Sequence, residues 1–110
     1  MKIPDLMKRR HLVEQKLDAK QALAVAEAYL SENRVAEALE FLTKAGADDR
    51  LREVRQAAIE AGDVFLVRDV SHRLREEPRA EEWRSVADAA DAAGKALYAI
   101  EARRLGDALN

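Results

Sequence analysis

The sequence predicts an all-α protein of about seven helices, and two observations support this fold class. Residues 22–45 have the pattern of two helices joined by a tight turn at Asn33-Arg34, and weaker copies of that pattern recur twice downstream. Residues with high helix propensity, namely Ala, Leu, Glu and Arg, are frequent, and the prolines and most glycines fall where helices would begin or end. A chain of 110 residues fits one domain, which we expect to cover residues 1–110.

The composition argues against several classes of function. The chain has no cysteine, which rules out disulfides, thiolate zinc sites and cysteine nucleophiles. The net charge is −2, and only residues 1–20 are clearly basic, with six Lys/Arg against three Asp/Glu, so nucleic acid is not an expected partner. The N-terminus becomes charged before any apolar run of signal-peptide length, and no stretch approaches the ~20 apolar residues of a spanning helix. We therefore expect a cytoplasmic protein without a membrane partner.

An N-terminal amphipathic helix is predicted over residues 1–17. Its apolar stripe, at helical spacing, consists of Ile3, Leu6, Met7, Val13 and Leu17. The opposite side is basic, which leaves two alternatives for the stripe, packing on the protein core and attachment to a membrane surface. Asp5 and Glu14 dilute the positive charge, so core packing is favoured.

Three helical hairpins follow, over residues 18–46, 47–77 and 78–110. Asp18 and Gln21 have the spacing of a capping box at the start of the first hairpin. Asn33 tolerates the left-handed conformation that ends a helix. The remaining helix ends are predicted at Gly46, Gly62 and Gly94. Glu77 is predicted to end the fifth helix, because the residue before Pro78 is pushed out of helical geometry.

The three hairpins align at the turns Asn33, Gly62 and Gly94, with offsets of 29 and 32 residues. The aligned small and apolar positions are Val25, Val54 and Val86 in the first helices and Ala38, Val67 and Ala99 in the second. The residues of the first and third copies at these positions, with Trp83, Ala87 and Gly94 in the third copy and Ala26, Tyr29 and Ala45 in the first, resemble the tetratricopeptide repeat. The small residues are expected to let paired helices approach closely, with Ala26 facing Ala38 and Ala87 facing Ala99. The middle copy departs from the pattern, with Arg55 where a small residue is expected, Val67 for Ala, Ser71 for the late aromatic residue and Leu74 at the position of Ala45.

The resemblance implies a right-handed solenoid whose concave groove, built from the first helix of each hairpin, binds a peptide or a partner protein. The residues that match groove positions are Leu23, Glu27, Leu30, Arg52, Gln56, Ile59, Arg84 and Asp88. The chain lacks the asparagines of the family's clamp for C-terminal carboxylates. Its mixed groove suits an amphipathic segment with some basic character.

No catalytic, metal-binding or cofactor-binding residues are predicted. His11 with Glu14, and Asp69 with His72 and Glu76, share helix faces, but a catalytic metal site needs about three protein ligands and a structural zinc site four. The paired acids lie among Arg and Ala on helices expected to be exposed, where capping and solubility explain them. The chain also has no nucleophile elbow and no glycine-rich phosphate loop. An enzyme is therefore not expected.

Two apolar segments leave alternatives open. Trp83 fits either a binding anchor or a core residue, and its repeat position favours the core. The run Val64–Val67 is too broad for a helix covered on one side, so part of it is either covered twice or exposed for contact. The last helix has no following repeat to cover it, and its apolar residues include Leu97, Tyr98, Leu105 and Leu109.

The leading expectation is therefore a small interaction module that binds a protein or peptide. The alternative is a structural subunit that self-associates as a homodimer through the last helix. Abundant Ala and a preference for Arg over Lys suggest a bacterial, GC-rich origin.

Overall fold

The computed structural model describes residues 3–14 and 17–109, and within them the chain forms seven helices and no strand. The helices are α1 Leu6–Glu14, α2 Ala19–Ser31, α3 Val35–Ala45, α4 Asp48–Ala61, α5 Val64–Leu74, α6 Ala80–Ala92 and α7 Ala96–Asp107. The predicted all-α class is confirmed.

The chain divides into two compact units, a first unit Met1–Leu51 and a second unit Arg52–Asn110. The boundary lies inside α4. The single domain over residues 1–110 and the solenoid stacking of its hairpins stay predictions.

The predicted helix ends are mostly confirmed. Asp18 accepts a hydrogen bond from the Gln21 amide at 2.8 Å, and the Gln21 side chain accepts one from the Asp18 amide at 3.4 Å, which completes the capping box. The backbone is left-handed at the predicted turn residues Asn33, Gly46, Gly62 and Gly94. Each inter-helix turn thus begins where a local conformational signal placed it.

In the first unit, α2 packs along α3. The buried residues of this pair are Ala22, Val25, Ala26, Ala28, Tyr29, Ala38, Leu39, Phe41 and Leu42. Both alanines of the expected close contact, Ala26 and Ala38, are fully buried. The Tyr29 and Phe41 rings stack with centroids 5.9 Å apart.

In the second unit, α6 packs along α7, and α5 also contacts α7. The core cluster comprises Ala58, Ile59, Val64, Val67, Trp83, Val86, Ala87 and Ala102. Trp83 is a core residue, as its repeat position predicted. Gly106 lies inside α7 rather than at a turn, and a Cβ at this position would come within 3.1 Å of the Trp83 Cβ. Small size, not turn geometry, therefore explains this glycine.

The stripe predicted for the N-terminal helix is not a buried face. Leu6 and Met7 are 83% and 80% exposed, and α1 has no buried residue. The side turned toward α2 and α3 instead carries Arg9, whose guanidinium lies 5.5 Å from the ring centroids of both Tyr29 and Phe41. Helical spacing identified an apolar face, but an arginine takes the place beside the aromatic pair.

The fifth helix ends earlier than Glu77-Pro78. Its last residue is Leu74. Arg75 adopts a left-handed conformation, and its amide donates hydrogen bonds to the carbonyls of Ser71 and His72. The Glu76 amide also donates to the Ser71 carbonyl, at 3.1 Å. The helix is closed by this capping geometry before the restriction that Pro78 imposes on Glu77 takes effect.

Candidate binding surfaces

Two of the predicted groove residues, Leu23 and Glu27, line one hollow of the first unit. The hollow has a volume of about 360 Å³ and also contacts the turn from Gly46 to Arg50. Arg50 donates hydrogen bonds to both carboxylate oxygens of Glu27, at 2.8 and 3.2 Å. These hydrogen bonds and the charge of Arg50 lower the pKa of Glu27 despite partial desolvation. Leu30, the third predicted residue in this unit, is half-buried.

The five predicted groove residues of the second unit have different surroundings. Ile59 lies in the core cluster, so it presents little surface to a partner. Arg52 is exposed but engaged by Glu76, and Gln56 donates to Glu60 at 3.3 Å. The other two, Arg84 and Asp88, are exposed.

Arg84 is an exposed arginine of this set. It has no ion-pair partner in the part of the chain that the structure describes. Asp88 lies 3.9 Å from Arg103, which pairs chiefly with Asp91. The predicted groove therefore keeps Arg84 as its clearest test position, whereas replacing Arg52 would also disrupt an ion pair within the protein.

Arg52 and Arg55, both on α4, form ion pairs with Glu76, which follows α5. Arg52 Nη2 lies 2.6 Å from Glu76 Oε2, and Arg55 Nη2 lies 3.1 Å from Oε1. Arg55 Nη1 also donates to the Glu76 carbonyl at 3.4 Å. These contacts, with the Arg52 hydrogen bond as the largest cause, lower the pKa of the Glu76 carboxyl. The arginine that departs from the repeat pattern thus ties α4 to the segment that follows α5.

The exposed apolar side chains of α5 and α7, here named the α5–α7 patch, are Phe65, Leu97 and Ile100, together with the half-buried Tyr98. Leu97, Ile100 and Phe65 are 79%, 61% and 51% exposed. The Phe65 and Tyr98 rings meet edge to face, with centroids 5.1 Å apart. Leu97 and Ile100 lie one turn apart on the outer side of α7, opposite its buried Ala99 and Ala102.

Charged side chains also occur on and beside α5 and α7. The Lys95 ammonium lies 5.5 Å from the Tyr98 ring centroid. Arg104 Nε donates to Glu101 at 3.1 Å, and Arg68 approaches the same carboxylate at 3.6 Å. The hydrogen bond from Arg104 is the main cause of a lowered pKa at Glu101. A lysine therefore lies beside the aromatic pair of the patch, and α5 and α7 carry arginines that pair with Glu101.

Only part of this patch could be predicted from the sequence. The run Val64–Val67 was recognised as too broad, and Phe65 is its exposed member. Leu97 and Tyr98 were named with Leu105 and Leu109, of which Leu105 packs partly against the core and Leu109 is exposed. Ile100 was missed, although its spacing of three from Leu97 would have identified it.

A cavity of about 530 Å³ opens beside Trp83 in the second unit. Its apolar lining consists of Pro78, Trp83, Leu105, Ala108 and Leu109. Its polar lining consists of Arg68, Asp69, Ser71, His72 and Glu77. Ser71 is buried, and its hydroxyl has no hydrogen-bond partner among the described residues. Its volume lies within the range of about 300–1,000 Å³ that is typical of small-molecule pockets.

The acids that share helix faces with His11 and His72 are paired with arginines. Glu14 accepts a hydrogen bond from Arg10 at 3.2 Å. Asp69 accepts a hydrogen bond from Arg73 at 2.9 Å, and Glu76 is held by two arginines. Across residues 3–14 and 17–109, no three His, Asp or Glu side chains are placed to hold a metal ion. In the same residues, no helix has the length and apolar character needed to cross a membrane.

No family model, curated protein or solved structure matches this chain. The resemblance to tetratricopeptide repeats therefore rests on the residues quoted above and stays a prediction.

Proposed function

We propose that this chain is a small, non-enzymatic protein–protein interaction module, and that a partner protein binds it at the α5–α7 patch. The supporting observation is the exposure of Leu97, Ile100 and Phe65 on two helices in contact. Large apolar side chains grouped on a surface are typical of binding sites in monomeric proteins. Their transfer out of water contributes about 25 cal/mol per Å² of apolar surface buried.

The chemistry of the patch matches that of known interfaces. Interfaces commonly combine an apolar, aromatic centre with a polar rim, and Tyr, Phe and Arg are enriched in them. Here Phe65 and Tyr98 supply the aromatic groups, and Arg68 and Arg104 lie on the same two helices. Because both arginines already pair with Glu101, they cost less to order when a partner binds.

Affinity capture from the host cell tests this proposal. The wild-type chain is expected to retain a partner that Leu97→Asp/Ile100→Asp loses by at least tenfold, because a carboxylate cannot be buried unpaired at an apolar contact. Ala36→Asp, on the exposed side of α3, is the control and should retain the partner. Circular dichroism must show equal helicity for the three proteins. Equal capture by the double variant would move the binding surface elsewhere, with the predicted groove as the next candidate.

Self-association through the last helix is the second candidate function. The same exposed Leu97 and Ile100, with Leu109, favour it, since a two-fold dimer buries one self-complementary surface on both subunits. Light scattering distinguishes the two functions. An interaction module gives a mass near 12.3 kDa, and the dimer gives twice that value. If the chain forms a dimer, Leu97→Asp should restore the monomer mass.

A bacterial cytoplasm is the proposed setting. Its support is compositional, namely the many alanines and the preference for Arg over Lys.

A further inference from the structure

A second binding site follows from the way α1 is attached to the α2–α3 hairpin. The Arg9 guanidinium lies at the same distance, 5.5 Å, from the centroids of the Tyr29 and Phe41 rings. Its Nη2 donates to the Glu37 carbonyl of α3 at 3.0 Å. One arginine side chain is thus held by two aromatic faces and a backbone acceptor, which is a recognisable arginine site.

The rest of α1 contributes little to this attachment. No residue of α1 is buried, and its large apolar side chains Leu6 and Met7 remain in water. Leu12 and Val13, on the same side as Arg9, are only half-buried. The attachment of α1 therefore depends on Arg9 more than on an apolar face.

Two buried polar groups lack hydrogen-bond partners when α1 is docked on the hairpin. Arg9 Nε and the Tyr29 hydroxyl are both buried without a hydrogen-bond partner among the described residues. Buried polar groups without partners oppose the state that buries them. A segment that places its guanidinium slightly differently, or that supplies an acceptor to the Tyr29 hydroxyl, can therefore compete with α1.

The distribution of charge along the chain also favours competition between α1 and another basic segment. Residues 1–20 carry six Lys/Arg against three Asp/Glu, and residues 21–49 carry two against six. Within α1, Lys8, Arg9 and Arg10 outnumber Glu14, and Arg9 contacts the acidic hairpin, so the two are electrostatically complementary. A basic segment from another protein would meet the same complementarity.

We propose that the α2–α3 hairpin is a binding site for basic helical segments that present an arginine, and that α1 is its internal, displaceable occupant. In the closed state Arg9 fills the site between Tyr29, Phe41 and the Glu37 carbonyl. A partner segment binds after α1 leaves, so the affinity for the partner is reduced by the fraction of molecules in which α1 is docked. This site lies in the first unit and is independent of the α5–α7 patch.

Peptide titration of the full chain, followed by NMR amide shifts, tests this site. The titrated protein is the full chain with the substitution Arg9→Ala, which removes the arginine of α1 from the site. The probe is a synthetic peptide of residues 3–14. Two variant peptides, Arg9→Ala and Arg10→Ala, lose the same charge, and only the first loses the proposed anchor. The unaltered and Arg10→Ala peptides should shift amides of α2 and α3 near Tyr29 and Phe41, and the Arg9→Ala peptide should bind at least tenfold more weakly.

The chain's own α1 provides the second measurement. The wild-type chain should bind the unaltered peptide at least tenfold more weakly than the Arg9→Ala chain does, because α1 occupies the site. Hydrogen exchange of α1 amides should be faster in the Arg9→Ala chain than in an Arg10→Ala chain. If Arg9→Ala unfolds the hairpin, the Arg9→Lys chain is used in its place, because it keeps the positive charge and lacks the planar guanidinium. Equal binding of the two variant peptides, or equal affinity of the two chains, would overturn the proposal.

Discussion

Gly62 shows how one residue can carry two separate structural requirements. Its φ is +70°, a conformation that a side chain disfavours, and it also lies against α6. A Cβ at this position would come within 2.6 Å of the Ala90 Cα and 2.9 Å of the Ala89 carbonyl carbon. Gly94 has a similar φ of +74°, but open space surrounds the place of its Cβ. The pair therefore separates backbone strain from steric overlap.

We expect Gly62→Ala to destabilise the protein more than Gly94→Ala does. The left-handed conformation costs about 1–2 kcal/mol at either position. Overlap with the α6 backbone adds about 1–3 kcal/mol at Gly62 alone. Urea unfolding of the two variants measures the difference. Equal losses of stability would mean that the turn at Gly62 does not contact α6 as described.

Residues whose role depends on a neighbour in sequence could be predicted, and those whose role depends on a distant partner could not. Asp18 and Gln21 are three residues apart, and the turn at Asn33 is set by its own backbone. Arg9 contacts a carbonyl 28 residues away, and Arg55 contacts a carboxylate 21 residues away. No local pattern distinguishes those two arginines from the exposed ones, so neither contact could be predicted from the sequence.

At the scale of elements, the α6–α7 pair depends on small residues at its interface. Ala87 and Ala99 are both buried, as the hairpin alignment predicted. Ala99→Leu should overpack this interface and lower the free energy of unfolding by about 1–3 kcal/mol. Ala57→Leu, at an exposed position of α4, is the matched control and should change it by less than about 0.5 kcal/mol. A thermal midpoint of Ala99→Leu equal to that of the control would contradict the alignment.

The link from α4 to Glu76 should make stability depend on pH. Arg52 and Arg55 lower the folded-state pKa of Glu76 below its ordinary value of 4.5. A lowered pKa means that the ion pair stabilises the fold fully above the unfolded-state pKa, and that this stabilisation is lost as pH falls through the folded-state pKa. The thermal midpoint of Glu76→Gln should therefore lie below that of the wild type at neutral pH, and the gap should close below pH 4.5.

Glu77→Gln provides the control for this measurement. Glu77 is exposed, adjacent in sequence, and has no ion pair within the described residues. Its replacement should leave the thermal midpoint close to that of the wild type across the same pH range. A gap for Glu76→Gln that stays constant down to about pH 3 would show that the carboxylate charge is not the stabilising feature.

The N-terminal helix shows why an element can be predicted while its packing is not. Periodicity identified a helix there, and α1 forms within the predicted range. The same periodicity placed Leu6 and Met7 toward a core, but burial depends on the surface that the neighbouring helices offer. That surface presents the Tyr29 and Phe41 rings with an acceptor carbonyl, which suits a guanidinium better than an aliphatic side chain.

For the whole molecule, the number and order of helices could be predicted because each depends on local propensity and turn residues. The α5–α7 patch could be anticipated only as an excess of apolar residues, since exposure depends on which helices cover which. Among the eight predicted groove residues, Leu23 and Glu27 lie together in the first unit, and Ile59 belongs to the core of the second. Helical spacing alone did not separate a groove-facing aliphatic residue from a core residue.

Site-specific photo-crosslinking in the host cell tests the central claim most directly. A photoreactive amino acid replaces Leu97 in the α5–α7 patch, Arg84 in the predicted groove, or Ala36 as an exposed control on α3. If a partner binds the α5–α7 patch, we expect position 97 to form an adduct with another protein and position 36 to form none. An adduct from position 84 without one from 97 would contradict the assignment to the α5–α7 patch. An adduct from position 97 at twice 12.3 kDa would instead show that the patch joins two copies of this chain.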